Sequence, residues 1–219
     1  IILVFGIWVV TELQSRYGKD EEGNKSRSVV DSKEYELKAK HDGADLVEIG
    51  EVPEFIFKNQ DDLTISNEDY KGKVYVVEFF FTSCPDICQV MNANMVKIQD
   101  EFMTNPNVGI ASFTIDPSYD TPEVLKEYAG NIGAKKPEWH FLTGDKSEVF
   151  KLSNEGFKLY VGESQGEQTS FEHSGLFALI DAEGKIRSRK DEHGNPMIYY
   201  NGLENKDIAM LIEDIKKLL

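Results

Sequence analysis

Hydrophobic positions along the chain fall into three regimes. Residues 1–10 (IILVFGIWVV) carry no polar side chain, and polarity changes abruptly at Thr11. As a helix such a run spans about 15 Å, roughly half of the ~30 Å hydrocarbon core of a bilayer, so alone it does not cross one. Residues 1–14 are read as the end of an N-terminal membrane anchor, with Trp8 near the water interface; the alternative is a buried N-terminal strand. Across 15–50 the pattern dissolves. Residues 19–28 (KDEEGNKSRS) have no apolar side chain and 35–45 mix charges without a period, the composition of a polar tether. From 51 onward regular periods appear.

In that third regime residues 52–57 alternate, with Pro53 suited to an edge strand. Residues 74–82 (VYVVEFFFT) form a nearly continuous β-branched and aromatic run, as expected of a central strand buried on both faces. Ile87, Met91, Met95, Ile98 and Phe102 recur at helical spacing and predict a helix over 85–103. A second strand is predicted over 108–115. Thr121-Pro122-Glu123 is a helix start, with a capping hydroxyl, proline at the first helical position and an acid in the first turn. Beyond it come a short strand at 139–142, a short helix at 146–154, and a hairpin of 176–180 with 185–189 around Asp181-Ala182-Glu183-Gly184. An amphipathic helix at 204–219 closes the chain. This order predicts an α/β fold over 51–219: a thioredoxin-like central mixed sheet flanked by helices.

Composition narrows the function classes. The 219 residues include 24 Lys and Arg against 39 Asp and Glu, a formal charge of −15, which argues against a nucleic-acid or anionic-lipid surface. Two cysteines cannot make a disulfide scaffold; they allow a single bond.

Those cysteines, Cys84 and Cys88, sit in Thr82-Ser83-Cys84-Pro85-Asp86-Ile87-Cys88, where the central strand ends and a helix begins. A helix start carries unpaired N–H groups and partial positive charge that favour a thiolate. Loops at strand C-termini are the usual ligand sites of open α/β sheets. Exchange motifs of the thioredoxin kind are C-x-x-C, whereas this is C-x-x-x-C. The spacing permits a disulfide and equally a soft two-thiolate site suited to Cu(I), Zn(II) or an Fe–S centre, which needs a third ligand. Of the four histidines, His41 and His193 read as solvated and His140, inside a strand, as packed. His173 precedes the strand at 176–180, and in a thioredoxin-like sheet its loop abuts the cysteine loop; position alone leaves its role as a ligand open.

The runs EFFFTSCPDIC (78–88), TIDPSYDTP (114–122), FLTG (141–144) and EHS (172–174), the last before a strand, together resemble the Sco/SenC family. The resemblance covers about 51–219. It implies a membrane-tethered, thioredoxin-like domain facing an oxidising compartment, here the bacterial periplasm in preference to the mitochondrial intermembrane space. It also implies copper, Cu(I) or Cu(II), bound by Cys84, Cys88 and His173. The implied role is delivery of copper to the binuclear site of cytochrome c oxidase subunit II. The alternative is thiol–disulfide exchange through Cys84 and Cys88 on that subunit's cysteines, with a thiol reductant as a further partner. One departure is Gln89, where the family usually continues with proline; glutamine keeps an N–H in the first helical turn.

Other residues have plainer readings. Met91 and Met95 extend the line of sulfur atoms from the cysteines, but at this spacing they read as core. Asp120 precedes the capping Thr121 and reads as structural, whereas Asp116 is the candidate for orienting a site residue. Tyr199 and Tyr200 suggest a partner surface. A thiol peroxidase is the weakest of the three functions: no Arg lies near the cysteine loop in sequence, and only Arg187 and Arg189 could approach it in space.

Overall fold

A computed structural model describes residues 46–164 and 170–219. The expected anchor at 1–14 and most of the expected tether lie outside the described residues. Among the described residues no helix is long and apolar enough to cross a membrane.

The sheet is organised around β4 (Val74–Phe80), every residue of which is buried, as its apolar run requires. β5 (Val108–Thr114) pairs parallel with β4, and β6 (Trp139–Leu142) parallel with β5. Their crossovers carry α1 (Cys88–Glu101) and α2 (Pro122–Ile132). On the other side β9 (Leu176–Ile180) runs antiparallel to β4, followed outward by β10 (Lys185–Arg189) and β1 (Leu46–Glu51). The strand order is β1-β10-β9-β4-β5-β6, with β11 (Tyr200–Asn201) also on β9. The two-residue period of β4 divides the core. Val74, Val76 and Phe80 meet Met91, Met95 and Ile98 of α1, Leu125 of α2, and Leu211 and Ile215 of α4 (Asn205–Leu218). Tyr75, Val77 and Phe79 meet the second layer. That layer contains the hairpin of β2 (Ile56–Lys58) with β3 (Thr64–Ser66), then α3 (Lys146–Lys151) and the π-helical turn Leu152–Phe157. A further two-stranded ribbon joins β7 (Val161–Ser164) to β8 (Ser170–His173).

Three expectations change. Residues 46–50, read as tether, belong to β1: Leu46 and Val47 are buried and the strand pairs with β10 from Leu46↔Arg189 to Glu51↔Lys185. A bulge between Glu48 and Gly50 breaks its alternation, which is why the sequence period does not reveal it. α1 starts at Cys88 rather than 85, because Pro85–Ile87 form a bend and the Ile87 carbonyl accepts the first helical bond, from Met91 N–H at 3.1 Å. Tyr200, one of the two tyrosines expected at a partner surface, faces the core, and Tyr199 is partly buried. Tyr200 is 1% exposed and donates to Asp214 at 2.8 Å, and the Tyr199 hydroxyl donates to the Phe157 carbonyl.

Arg187 and Arg189 serve the same end of the sheet as β1. Arg187 pairs with Asp181 at 3.0 Å and donates to the Leu46 carbonyl at 2.8 Å. Arg189 pairs with the fully buried Asp214 at 2.6 Å, fastening β10 to α4. Register places Arg187 opposite Leu179, itself opposite Val76, in the half of β4 away from the cysteines. Both arginines are therefore structural cations, and the peroxidase reading loses its anion site.

Met91 and Met95 are 1% and 0% exposed, within the core. Met95→Leu is expected to change stability by less than about 1.5 kcal/mol, whereas Met95→Ala costs about 2–5 kcal/mol, both read from urea midpoints.

Candidate metal and thiol site

The site hangs from the end of β4. Beyond Phe80 the chain turns out of the sheet, and a buried carboxylate on the neighbouring connection fixes where it goes. Thr82 N–H donates to Asp120 Oδ2 at 3.1 Å, and the hydroxyls of Thr82 and Thr114 both donate to the same carboxylate. Asp120 is fully buried; burial raises its pKa, and the bonds from Thr114 and Thr82 oppose that rise. Asp116, the expected orienting residue, contributes main chain instead. Its N–H donates to Thr114 Oγ1 at 3.1 Å, and its carbonyl accepts from Asp120 N–H at 2.9 Å. The contact to the cysteine loop is thus made by the second aspartate of D-P-x-x-D-T-P. Thr121 caps α2 as expected, accepting from Val124 N–H at 3.4 Å.

From this anchored start Cys84 closes a turn, its N–H donating to the Phe81 carbonyl at 3.3 Å. Cys88, at the first position of α1, is 2% exposed, whereas Cys84 is half-buried. The pair is in the dithiol form, each thiol within hydrogen-bonding reach of the other. The helix start was expected to favour a thiolate, yet the Cys88 thiol is pushed well up. The bond with Cys84 is the largest cause and burial the next; a bond from the Phe81 backbone opposes them. Cys88 therefore keeps its proton at neutral pH until a cation or an oxidant takes its place.

A second buried acid lies in β4 itself. Glu78 is 0% exposed and on the α1 face by the pleat; Ser112 Oγ donates to Oε1 at 2.6 Å, and Oε2 has no partner. Burial raises its pKa from 4.5 to about 7, with the Ser112 bond acting against the rise. Its charge, once formed, further disfavours ionisation of Cys88. A lone acid inside an apolar run was the visible signal for this residue.

The histidine-bearing loop reaches the same place. His173 ends β8, its backbone opposite Val161, and two residues later the chain turns through Gly175 at φ 66°. A β-carbon there would lie 3.4 Å from Ile87 Cδ1, so this loop packs on the segment between the two cysteines. The side chain of His173 itself lies outside the described residues. Among those described, no group of three or more His, Cys, Asp or Glu side chains is gathered for a metal. His140 is packed, as expected: its Nδ1 lies 3.2 Å from the Tyr70 hydroxyl, and burial lowers its pKa. His193 is exposed beside Glu192.

Next to the sulfurs lies an open cleft of about 320 Å³, lined by Thr82, Cys84, Cys88, Gln89, Asn92 and Tyr128, among others. Asn92 Nδ2 bonds the Tyr128 hydroxyl, while Asn92 Oδ1, buried, has no partner. Nothing in the helical period singled out Asn92 or Tyr128.

A dithiol at the C-terminal end of the central strand of a thioredoxin-like sheet defines a class of thiol-bearing α/β domains. Within it, the SCO1/SenC family model matches residues 47–206, and the chain belongs to that family. The SCO1 protein homolog of Bacillus subtilis (strain 168) is 37% identical over 168 residues, covering 76% of this chain and 81% of that protein. The solved structure of BsSco is 34% identical, with a TM-score of 0.65, over 78% of this chain and 95% of that one. It is described as a member of the Sco family of cytochrome c oxidase assembly proteins with a disulfide switch. Copper-bound ScoI of Bradyrhizobium japonicum shares the fold, with a TM-score of 0.62 at 22% identity, over 78% of this chain and 99% of that one.

The buried acid gives a pH test. Glu78 binds its proton more tightly folded than unfolded, so its contribution is fully present below about pH 4.5 and is lost as pH rises through about 7. Glu78→Gln is expected to remove that slope, gaining on the native protein by about 3 kcal/mol at pH 8 and by little at pH 4, measured by denaturant unfolding.

Proposed function

We propose that this protein is a copper metallochaperone that delivers copper to the binuclear site of cytochrome c oxidase subunit II. Cys84, Cys88 and His173 are the proposed ligands. The observation that supports this most strongly is the meeting of loops. A half-buried and a buried thiol face one another at the start of α1, and the turn that follows His173 packs on Ile87 between them. Two soft thiolates with a neutral imidazole suit Cu(I), and imidazole extends the set to Cu(II). Two thiolates against one Cu(I) leave one net negative charge and an open coordination face, from which the ion passes on by ligand exchange. Loading releases the Cys88 proton that contact with Cys84 and burial now hold.

The half-exposed Cys84 also supports a second reading, thiol–disulfide exchange on the same client, with a thiol reductant restoring the pair. In an oxidising compartment the empty cysteines tend toward the disulfide, so a reductant also gates loading. The proposed setting is the bacterial periplasm, with the domain held to the membrane through residues 1–14 and the tether behind them. Gln89, exposed in the first turn of α1, removes no ligand. Asp116 retains a proposed outer role beside the Thr114–Asp120 contact.

Anaerobic titration of the reduced protein, followed through thiolate-to-copper charge-transfer absorption, tests the proposal. One Cu(I) is expected to bind per chain, and Cys84→Ser, Cys88→Ser or His173→Ala each to abolish Cu(II) binding. Unchanged Cu(II) affinity in His173→Ala contradicts the three-ligand site. Disulfide-reducing activity that survives His173→Ala while copper binding is absent favours the exchange reading.

A further inference from the structure

The second layer opens into a cleft of about 750 Å³, more than twice the volume of the cleft beside the cysteines and sharing no residue with it. One wall is the hairpin of β2 with β3 and the segment leading into it; the other is α3 with the π-helical turn. On the hairpin the two-residue period sends Phe55 and Phe57 into the core, where their rings meet Phe113 at 5.2 and 5.5 Å. The same period turns Glu54 and Ile56 outward. Ile56, opposite Ser66 in the register, is 73% exposed, the most exposed large apolar side chain among the described residues. On the helical wall Glu148, Lys151, Leu152 and Glu155 follow one another at helical spacing. The cleft is preformed. Asn67 Oδ1 accepts from Phe55 N–H at 2.7 Å and Asn67 Nδ2 donates to the Pro53 carbonyl at 3.0 Å, which fixes the entry to β2 against the end of β3. Gly156 lies so near Pro53 that a β-carbon would stand 2.5 Å from its Cγ, so the π-helical turn rests directly on the proline. An exposed apolar concavity with a polar rim is the form of an interaction site.

Charge identifies the occupant. Four carboxylates, Glu54, Glu68, Glu148 and Glu155, stand round the cleft against one ammonium, Lys151, a stronger imbalance than the 39 to 24 of the whole chain. Glu68 meets Lys71 at 3.3 Å in an exposed pair of little worth; among the described residues the other three form no ion pair. A second copy of this chain, itself at −15, would bring two acidic rims together, and an anionic lipid surface is repelled for the same reason. We propose that this cleft docks a basic segment of another protein, with an apolar side chain seated against Ile56 and Leu152 and flanking Lys or Arg side chains on Glu54, Glu148 and Glu155. The aliphatic stems of those cations lie along the apolar floor while their charged ends meet the carboxylates. Such a partner does not occupy the cysteine cleft, so it docks whether the dithiol is empty, loaded or oxidised.

Fluorescence anisotropy with the full chain at low salt tests the proposal. The probe is carboxyfluorescein-Lys-Leu-Lys-Phe-Lys-Leu-Lys-amide. One control peptide has Ser at the apolar positions and keeps the charge; the other has Glu in place of Lys and keeps the apolar positions. The native chain is expected to bind the probe at least about tenfold more tightly than either control. Ile56→Ser, at an exposed position on which folding does not depend, is expected to weaken the probe about tenfold. Glu54→Gln with Glu155→Gln is expected to weaken it about fivefold. Glu183→Gln with Glu192→Gln, the same change of charge at exposed positions outside the cleft, is expected to weaken it by less than about twofold. Probe binding no tighter than that of the serine control, equal weakening by the two glutamate pairs, or unchanged binding in Ile56→Ser overturns the proposal. Equal binding of the acidic control overturns it by leaving apolar contact alone. Self-association of the native chain in sedimentation, abolished by Ile56→Ser, assigns the cleft to a second copy and overturns it as well.

Discussion

The geometry of the site depends on one buried carboxylate. Asp120 sits outside the cysteine loop, on the connection into α2, yet it gathers the backbone and hydroxyl of Thr82 and the hydroxyl of Thr114 onto one group. Thr114 is the last residue of β5, and Thr82 is two residues beyond the end of β4. The carboxylate therefore ties together the ends of two neighbouring parallel strands at the point where the chain leaves the sheet. Everything downstream inherits that position: the turn at Cys84, the bend through Pro85, and the placement of Cys88 at the start of α1. A buried acid bonded by uncharged donors alone is expensive, and such groups persist where they hold a functional loop in one arrangement.

The electrostatics around Cys88 are protonating rather than activating. Helix geometry alone favours a thiolate at Cys88, but the bond with Cys84, burial and the nearby Glu78 all act the other way. That balance suits a site that waits. A Cys88 thiol held neutral is a poor nucleophile on its own, whereas a soft cation supplies the charge that makes two adjacent thiolates favourable. Under the proposed function that chemistry favours metal capture, with exchange as the route taken when an oxidant or a client disulfide arrives first. The −15 charge of the chain constrains partners without selecting one.

Most of the fold could be read from the sequence because its signals are local. The unbroken apolar run of β4, the Thr121-Pro122 start of α2 and the Asp-Ala-Glu-Gly turn between β9 and β10 each carry their own geometry. β1 was not legible: its bulge spoils the period, and its stability comes from pairing with β10, distant in sequence. The site divides in the same way. Cys84 and Cys88 announce themselves by spacing, and the D-P-x-x-D-T-P run marks the right loop. Which aspartate reaches Thr82 depends on how that loop folds back, and the structure gives the contact to Asp120 rather than Asp116. Asn92 and Tyr128 meet across two helices and leave no trace in either helix's own pattern. Tyr200 misled because aromatic residues near a loop look alike whether they face solvent or a buried Asp214.

X-ray absorption at the copper edge of the Cu(I)-loaded chain examines the proposed three-armed copper clamp most directly. Two sulfur neighbours and one nitrogen neighbour, the nitrogen lost in His173→Ala, is the predicted result. Coordination by sulfur alone, or a nitrogen neighbour that persists in His173→Ala, contradicts it.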